Sequence, residues 1–274
     1  MKSIIVNADD FGISRGTDKA VRRGFAGGII NSASIIANSP YVDDIKGLRG
    51  LKIKTGLHLN LVAGRALAPP GDIPLLADGN GMFRHGFIGL FAASLLHPAE
   101  FARQVAVEAE AQIAFLRRLG LKLSHLDSHR HAHMIPAVFG VARRMAEKYN
   151  IPRIRVVNES LWESLRGGWD FSFLFNGGIV KYAVLRFLGL LCGAKSGTYF
   201  YSILYTGRIF KEKVRSMRVP AKYGSVEICI HPNMAGADLD DGEVRDRNVL
   251  SASRAGEMAM AMDRHVLDSL KARP

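Results

Sequence analysis

Residues 121–150, "LKLSHLDSHRHAHMIPAVFGVARRMAEKYN", decide the fold class, because a strand, a polar turn and a helix follow each other without a break. "LKLSHLDSH" reads as a strand, and "IPAVFGVARRMAEKYN" has helical spacing with Pro136 in its first turn. Between them lies a cluster, His125, His129, His131 and His133, that holds four of the chain's nine histidines. A strand handed to a helix through a polar turn is the unit of a parallel α/β protein.

The same unit recurs in both directions. Upstream, "HPAEFARQVAVEAEAQIAFLRRLG" predicts the strongest helix, with Phe101, Val105, Ala109, Ile113 and Leu116 on one stripe and Gly120 as its stop. A Pro- and Gly-rich run, 63–84, reads as a long loop, and "LKIKTGLHLNLV" as a strand with His58 near its C-terminal end. "INSASIIAN" is a strand and "YVDDIKGLRG" a short helix. At the N-terminus, Ile4 to Val6 predicts a short strand running into Asp9-Asp10, followed by a helix capped by Thr17 and stopped at Gly27-Gly28. Downstream, "IPRIRVVNE" predicts a strand, "GSVEICIHPN" another ending in His231, and Ser251 to Arg273 a helical tail. The alternation fails only at about 159–213, an apolar and cationic stretch expected to be an insert on a single domain, 1–274.

Composition bounds the function. A chain of 274 residues, 48% hydrophobic, can bury a large core without staples. Cys192 and Cys229 have no partners at metal-ligand spacing in the sequence, which argues against a disulfide framework and a Cys-based zinc site. The N-terminus lacks the apolar run of a signal peptide, and Lys181 and Arg186 interrupt the most apolar stretch, so a cytoplasmic chain without a membrane span is expected. The net charge of +12 comes in pairs such as Arg22-Arg23, Arg117-Arg118 and Arg143-Arg144 on helix-like stretches, which read as solvated faces. No nucleic-acid module is legible, so no nucleic-acid partner is expected.

In parallel α/β proteins the strand C-termini share one face, and residues far apart in sequence meet there. Asp9-Asp10, His58, His129 with its neighbours, and His231 all stand at such ends. Two histidines and one carboxylate leave an ion open positions for water and substrate. One acid of the doubled pair can bind that ion while the other takes a proton from the attacking water, and His231 can protonate a leaving group. His125 and Asp127 share a strand face, and Asp127 is placed to orient a ligand histidine. A metal phosphoesterase is the second enzymatic reading, although further carboxylates for it are missing. A basic lipid-binding protein with structural histidines is the non-enzymatic one.

"VNADDFGIS", "TGLHLNL", "HLDSHRHAHMIP" and "EICIHPN", in that order, resemble the YdjC-like carbohydrate deacetylases, including the chitooligosaccharide and hopanoid-associated types. The resemblance implies an irregular TIM-like (β/α) barrel and hydrolysis of the N-acetyl group of an amino sugar. It implies one divalent metal ion, zinc or magnesium, on Asp10, His58 and His129, with Asp9 as general base and His231 as general acid. His131 and His133 would line the site or support its ligands. Arg130 departs from a histidine of the family pattern, which puts in doubt any role carried to it. "TYFYSILYTGRI", in the insert, is closer to the hopanoid-associated branch, so the amino sugar is expected free or lipid-linked. With that come peripheral contact with an anionic inner-membrane surface and room for a homodimer.

Overall fold

The computed structural model describes residues 3–166, 171–174, 177–239 and 247–271. In chain order the elements are β1 (Ser3–Phe11), α1 (Arg15–Gly27), β2 (Ser32–Ile35), α2 (Val42–Lys46), β3 (Lys54–Leu59), α3 (Phe87–Leu96), α4 (Pro98–Arg118), β4 (Leu123–Ser128) and α5 (Pro136–Lys148). There follow α6 (Leu161–Arg166), α7 (Gly178–Leu191), β5 (Thr198–Tyr201), α8 (Lys211–Ser216), β6 (Ser225–Ile230), α9 (Ala252–Met262) and α10 (His265–Lys271). The chain is α/β, and the strand pairs with a defined register are parallel. Two compact units divide it, 1–33 with 156–274 and 34–155, and the division falls inside β2.

The first unit is built on β1, β6 and β5. Ser3 to Ala8 pair with Ser225 to Ile230, and Thr198 to Tyr201 with Ser225 to Ile228. Of the apolar residues of β1, Val6, Ala8 and Phe11 are fully buried. The strand runs further than Ile4–Val6, so Asp9 and Asp10 are its last turn of pleat rather than a loop beyond it. Ser14, not Thr17, caps α1. Its backbone is extended and its side chain accepts from the Thr17 amide. The insert contributes β5, which the sequence pattern did not disclose. Glu159 anchors it, accepting from the amides of Ser202, Ile203 and Leu204 at 3.3, 2.6 and 3.3 Å. The parts of the expected insert at 167–170 and 175–176 lie outside the described residues. The tail is two helices rather than one, with Asp263 ending the first, and the end of that expectation, 272–273, also lies outside.

The second unit pairs β3 with β4 and packs α4 and α5 against them. The predicted apolar stripe of α4 is fully buried, and Gly120 follows the helix with φ 81°, a conformation suited to glycine. A polar stripe one position earlier does different work. Gln104, Glu108 and Gln112 are also buried, and they bind the backbone of the long loop at Leu75, at Leu67 and Ala68, and the backbone of Asn60 just before it. That satisfies amides that a Pro- and Gly-rich segment cannot pair in a ladder, and so orders it. α3 was not anticipated. "IPRIRVVNE" forms no strand: Leu126 and Ile154 make one isolated bridge. Pro152 carries no amide proton, and the Arg155 side chain turns to Asp127 instead of standing on a sheet.

Candidate functional site

In the second unit the strand β4 delivers Asp127, and the chain arranges partners on both of its oxygens. Oδ1 accepts from His58 Nδ1 at 2.7 Å, while Oδ2 accepts from Ser34 Oγ at 2.6 Å and pairs with Arg155 Nη2 at 2.5 Å. A carboxylate can only accept here, so His58 carries its proton on Nδ1 and Nε2 is its basic nitrogen. His125 lies on the same strand face, as expected, and its Nε2 meets the same Ser34 hydroxyl at 3.0 Å. The space for that ring is made by Gly56, where a Cβ would come within 2.3 Å of His125 Nε2. Sequence reasoning missed Arg155 and Ser34. Two arginines inside the apolar run "IPRIRVV" were the available signal.

Beyond β4 the chain makes a tight turn, His129–Met134, in which Arg130 and His131 take left-handed backbone, φ 52° and 55°. This turn stacks the histidines instead of letting them follow one helix face. His129 comes edge-on to His58, ring centroids 5.7 Å apart, and their nitrogens offer donor atoms within 4.8 Å. His131 is buried, with its ring 6.3 Å from His133. His133 supports the strand end: its amide donates to Ser128 Oγ at 2.8 Å, and its Nε2 meets the Arg155 carbonyl at 3.1 Å. A carbonyl only accepts, so Nε2 carries the proton and Nδ1 takes one from Ser128 Oγ at 2.6 Å. Burial pushes the His133 imidazole down to about 4, with the Arg155 charge acting in the same direction and Asp127 against it. Arg130 is exposed.

In the first unit the end of β1 carries the doubled acid. Asp9 Oδ1 accepts from Asn7 Nδ2 at 2.7 Å. Asp10 has φ 65°, so the two carboxylates leave the strand in different directions, and its Oδ2 accepts from Arg254 Nη2 at 2.9 Å. His231 follows β6, and its amide donates to Glu257 Oε2 at 2.6 Å. Donor atoms of Asp9, His231 and Cys229 lie within 4.8 Å of one another. Asn233 closes the turn, its Nδ2 donating to Thr17 Oγ1 and Asp238 Oδ2 at 3.0 and 2.8 Å. Arg254 and Glu257 were missed, although they are the two long polar residues, three apart, in the otherwise small and Met-rich α9. Lys181, on α7, was read only as an interruption. Burial pushes its ammonium down, opposed by Cys229, Asp9, Glu159 and Asp10.

The donor set fits a divalent ion. Two imidazoles within reach of each other, one of them oriented by a buried carboxylate, are nitrogen donors suited to such an ion in the second unit. In the first unit Asp10, paired with Arg254, offers a carboxylate oxygen of the same use.

A profile of the family described as "YdjC-like protein" matches residues 3–272. Among curated relatives, a protein named carbohydrate deacetylase from Thermoanaerobacter pseudethanolicus is 30% identical over 99% of this chain and 95% of its own. Another of that name, from Brevibacillus brevis, is 36% identical over 54% of this chain and 57% of its own. Among solved structures, a putative cellobiose-phosphate cleavage protein from Enterococcus faecalis shares the fold, with a TM-score of 0.72 and 22% identity over 98% of this chain and 94% of that one.

Proposed function

The chain belongs to the YdjC-like family and is a carbohydrate deacetylase, and from that premise we propose that it removes the N-acetyl group of an amino sugar with the help of one divalent ion. In this reading residues 1–274 act as one deacetylase domain, a TIM-like barrel carrying the insert near 159–213. Asp10, His58 and His129 hold the ion, zinc or magnesium. When bound, it supplies a water acidified towards neutral pH and a positive charge for the acetyl carbonyl oxygen. Asp9 takes the proton of the attacking water, with Asn7 holding one of its oxygens. His231 gives a proton to the sugar nitrogen as the C–N bond breaks, so that water and amide become acetate and free amine. Glu257 fixes the backbone of His231 from below. Asp127, with Arg155 and Ser34 behind it, keeps His58 in the tautomer whose Nε2 faces outward.

The observation that carries the reading is the carboxylate–histidine pair, Asp127 to His58 at 2.7 Å, with the His129 ring set against it. A phosphoesterase reading draws no comparable support. A lipid-linked substrate is favoured by α7, whose Val180, Val184, Phe187 and Leu191 are 64, 42, 58 and 58% exposed on one helical stripe. Arg186 on the same helix and exposed Lys195 just after it supply charge for anionic headgroups, which supports peripheral contact with a membrane surface. No helix among the described residues is long and apolar enough to cross one.

The test is acetate release from a panel of soluble and lipid-linked N-acetyl sugars, run beside metal analysis. Acetate from at least one sugar, with a stoichiometric ion lost in His129→Ala, is the expected result. Full turnover in His129→Ala would sink the reading.

A further inference from the structure

Strands β1 and β6 turn one common face towards a second set of metal donors. Asn7 pairs with Cys229 in the parallel register and Ala8 with Ile230, so Asp9 and His231 stand opposite each other one step on. Side chains two apart along a strand share a face, which puts Asn7, Asp9, Cys229 and His231 together. Their donor atoms bear this out: a carboxylate oxygen of Asp9, the thiol sulfur of Cys229 and a ring nitrogen of His231 lie within 4.8 Å of one another. Sequence spacing had left Cys229 without metal-binding partners, and the sheet supplies them. Asp9 and Cys229 are buried, and His231 Nδ1 is buried without a hydrogen-bond partner, its nearest acid being Glu257 Oε2 at 3.8 Å.

We propose that Asp9, Cys229 and His231 form an inhibitory site for a soft divalent ion, separate from the ion held through His58 and His129. One ion bonding all three needs distances of roughly 2.0–2.3 Å, so the donors need close only slightly from their present spacing. A thiolate beside an imidazole and a carboxylate selects zinc or cadmium and rejects magnesium. Binding breaks the S–H bond of Cys229, forms a metal–sulfur bond and releases one proton to solvent, with no change of oxidation state. Lys181, on α7, donates from Nζ to Thr206 Oγ1 at 3.2 Å, and burial pushes its ammonium down against the opposing influence of Cys229 and Asp9. The consequence rests on the reading given above: an ion there occupies both the base and the acid of deacetylation. Zinc beyond one equivalent would then stop turnover, and magnesium would not.

Binding is tested without turnover, so its failure is separable from failure of the deacetylase reading. The full chain carrying Cys192→Ser, which removes the other thiol, is titrated with cadmium and followed by the ultraviolet charge-transfer band of a cadmium thiolate. The band should saturate within two equivalents per chain, the other centre taking the remaining ion without adding to the band. It should persist in His129→Ala, because the other centre has no sulfur, vanish in Cys229→Ser and Cys229→Ala, and need at least ten times more cadmium in His231→Ala. Circular dichroism confirms that each variant is folded. Absence of the band in folded Cys192→Ser protein overturns the proposal. So does a band indifferent to His231→Ala, which would reduce the site to a lone cysteine.

Discussion

Arg254 reaches Asp10 at 2.9 Å, tying α9 to the last residues of β1 across nearly the whole chain. The pair is buried, so the guanidinium acts on the carboxylate with little screening by water. It aims the Asp10 carboxylate, which is what an ion requires of an oxygen ligand. Arg254→Ala should weaken metal affinity by about 10–100-fold, the range for groups that orient ligands. Competition with a chromophoric chelator measures it, and an unchanged affinity would refute the role.

Asp127 is the corresponding anchor for the histidines. Asp127→Asn cannot balance the Arg155 charge, and a buried ion left without its partner costs about 3–5 kcal/mol. Urea unfolding should show that loss, whereas Ser34→Ala should cost less, about 1.5–3 kcal/mol, because Asp127 keeps two other partners although the His125 ring loses the hydroxyl. Equal losses in the two variants would contradict this division.

The doubled acid separates into two phenotypes. Asp9→Asn should bind one ion per chain while turnover falls by roughly 10²–10⁴-fold, the contribution of a positioned base. Asp10→Asn should come off a desalting column without metal. Full activity in Asp9→Asn excludes it as the base.

His133 makes stability depend on pH in one direction. The folded chain holds this imidazole neutral down to about 4, whereas the unfolded chain takes up its proton near the ordinary histidine value of about 6.5. The stability it confers is present above about 6.5 and is lost as pH falls towards 4, at up to about 1.4 kcal/mol per unit. Glu108 and Glu159, pushed up by burial, contribute in the opposite sense, so the difference from His133→Gln is the informative quantity. Urea midpoints at pH 7.5 and 5 should diverge more in the parent protein than in His133→Gln.

The α7 stripe should bring the protein to anionic vesicles at low salt and release it as salt rises. Phe187→Ser gives up about 2 kcal/mol of apolar burial, which lowers partitioning by roughly 30-fold. Co-sedimentation with anionic and neutral vesicles reads both effects. Equal binding to the two kinds would remove charge from the account.

Much of this was legible in the sequence because strand, turn and helix signals agreed locally. The α4 stripe, the strand ends carrying His58 and Asp127, and Pro136 opening α5 were all fixed by short-range pattern. What was not legible depends on distance along the chain. Arg254 and Asp10 are separated by 244 positions, and no periodicity marks such a pair. The failed strand after Pro152 had the right apolar residues, but Arg155 was claimed by a buried acid. β5 was hidden because "TYFY" is short and sits inside an irregular stretch.

The turn after β4 sets a requirement of its own. Position 130 is asked for left-handed backbone by the turn that stacks the histidines, while its side chain is exposed. What the turn requires there is the path of the chain, a left-handed residue directly after His129. The position is thus an attachment point: a reporter fixed at residue 130 would stand next to His129 without replacing any of the proposed metal ligands.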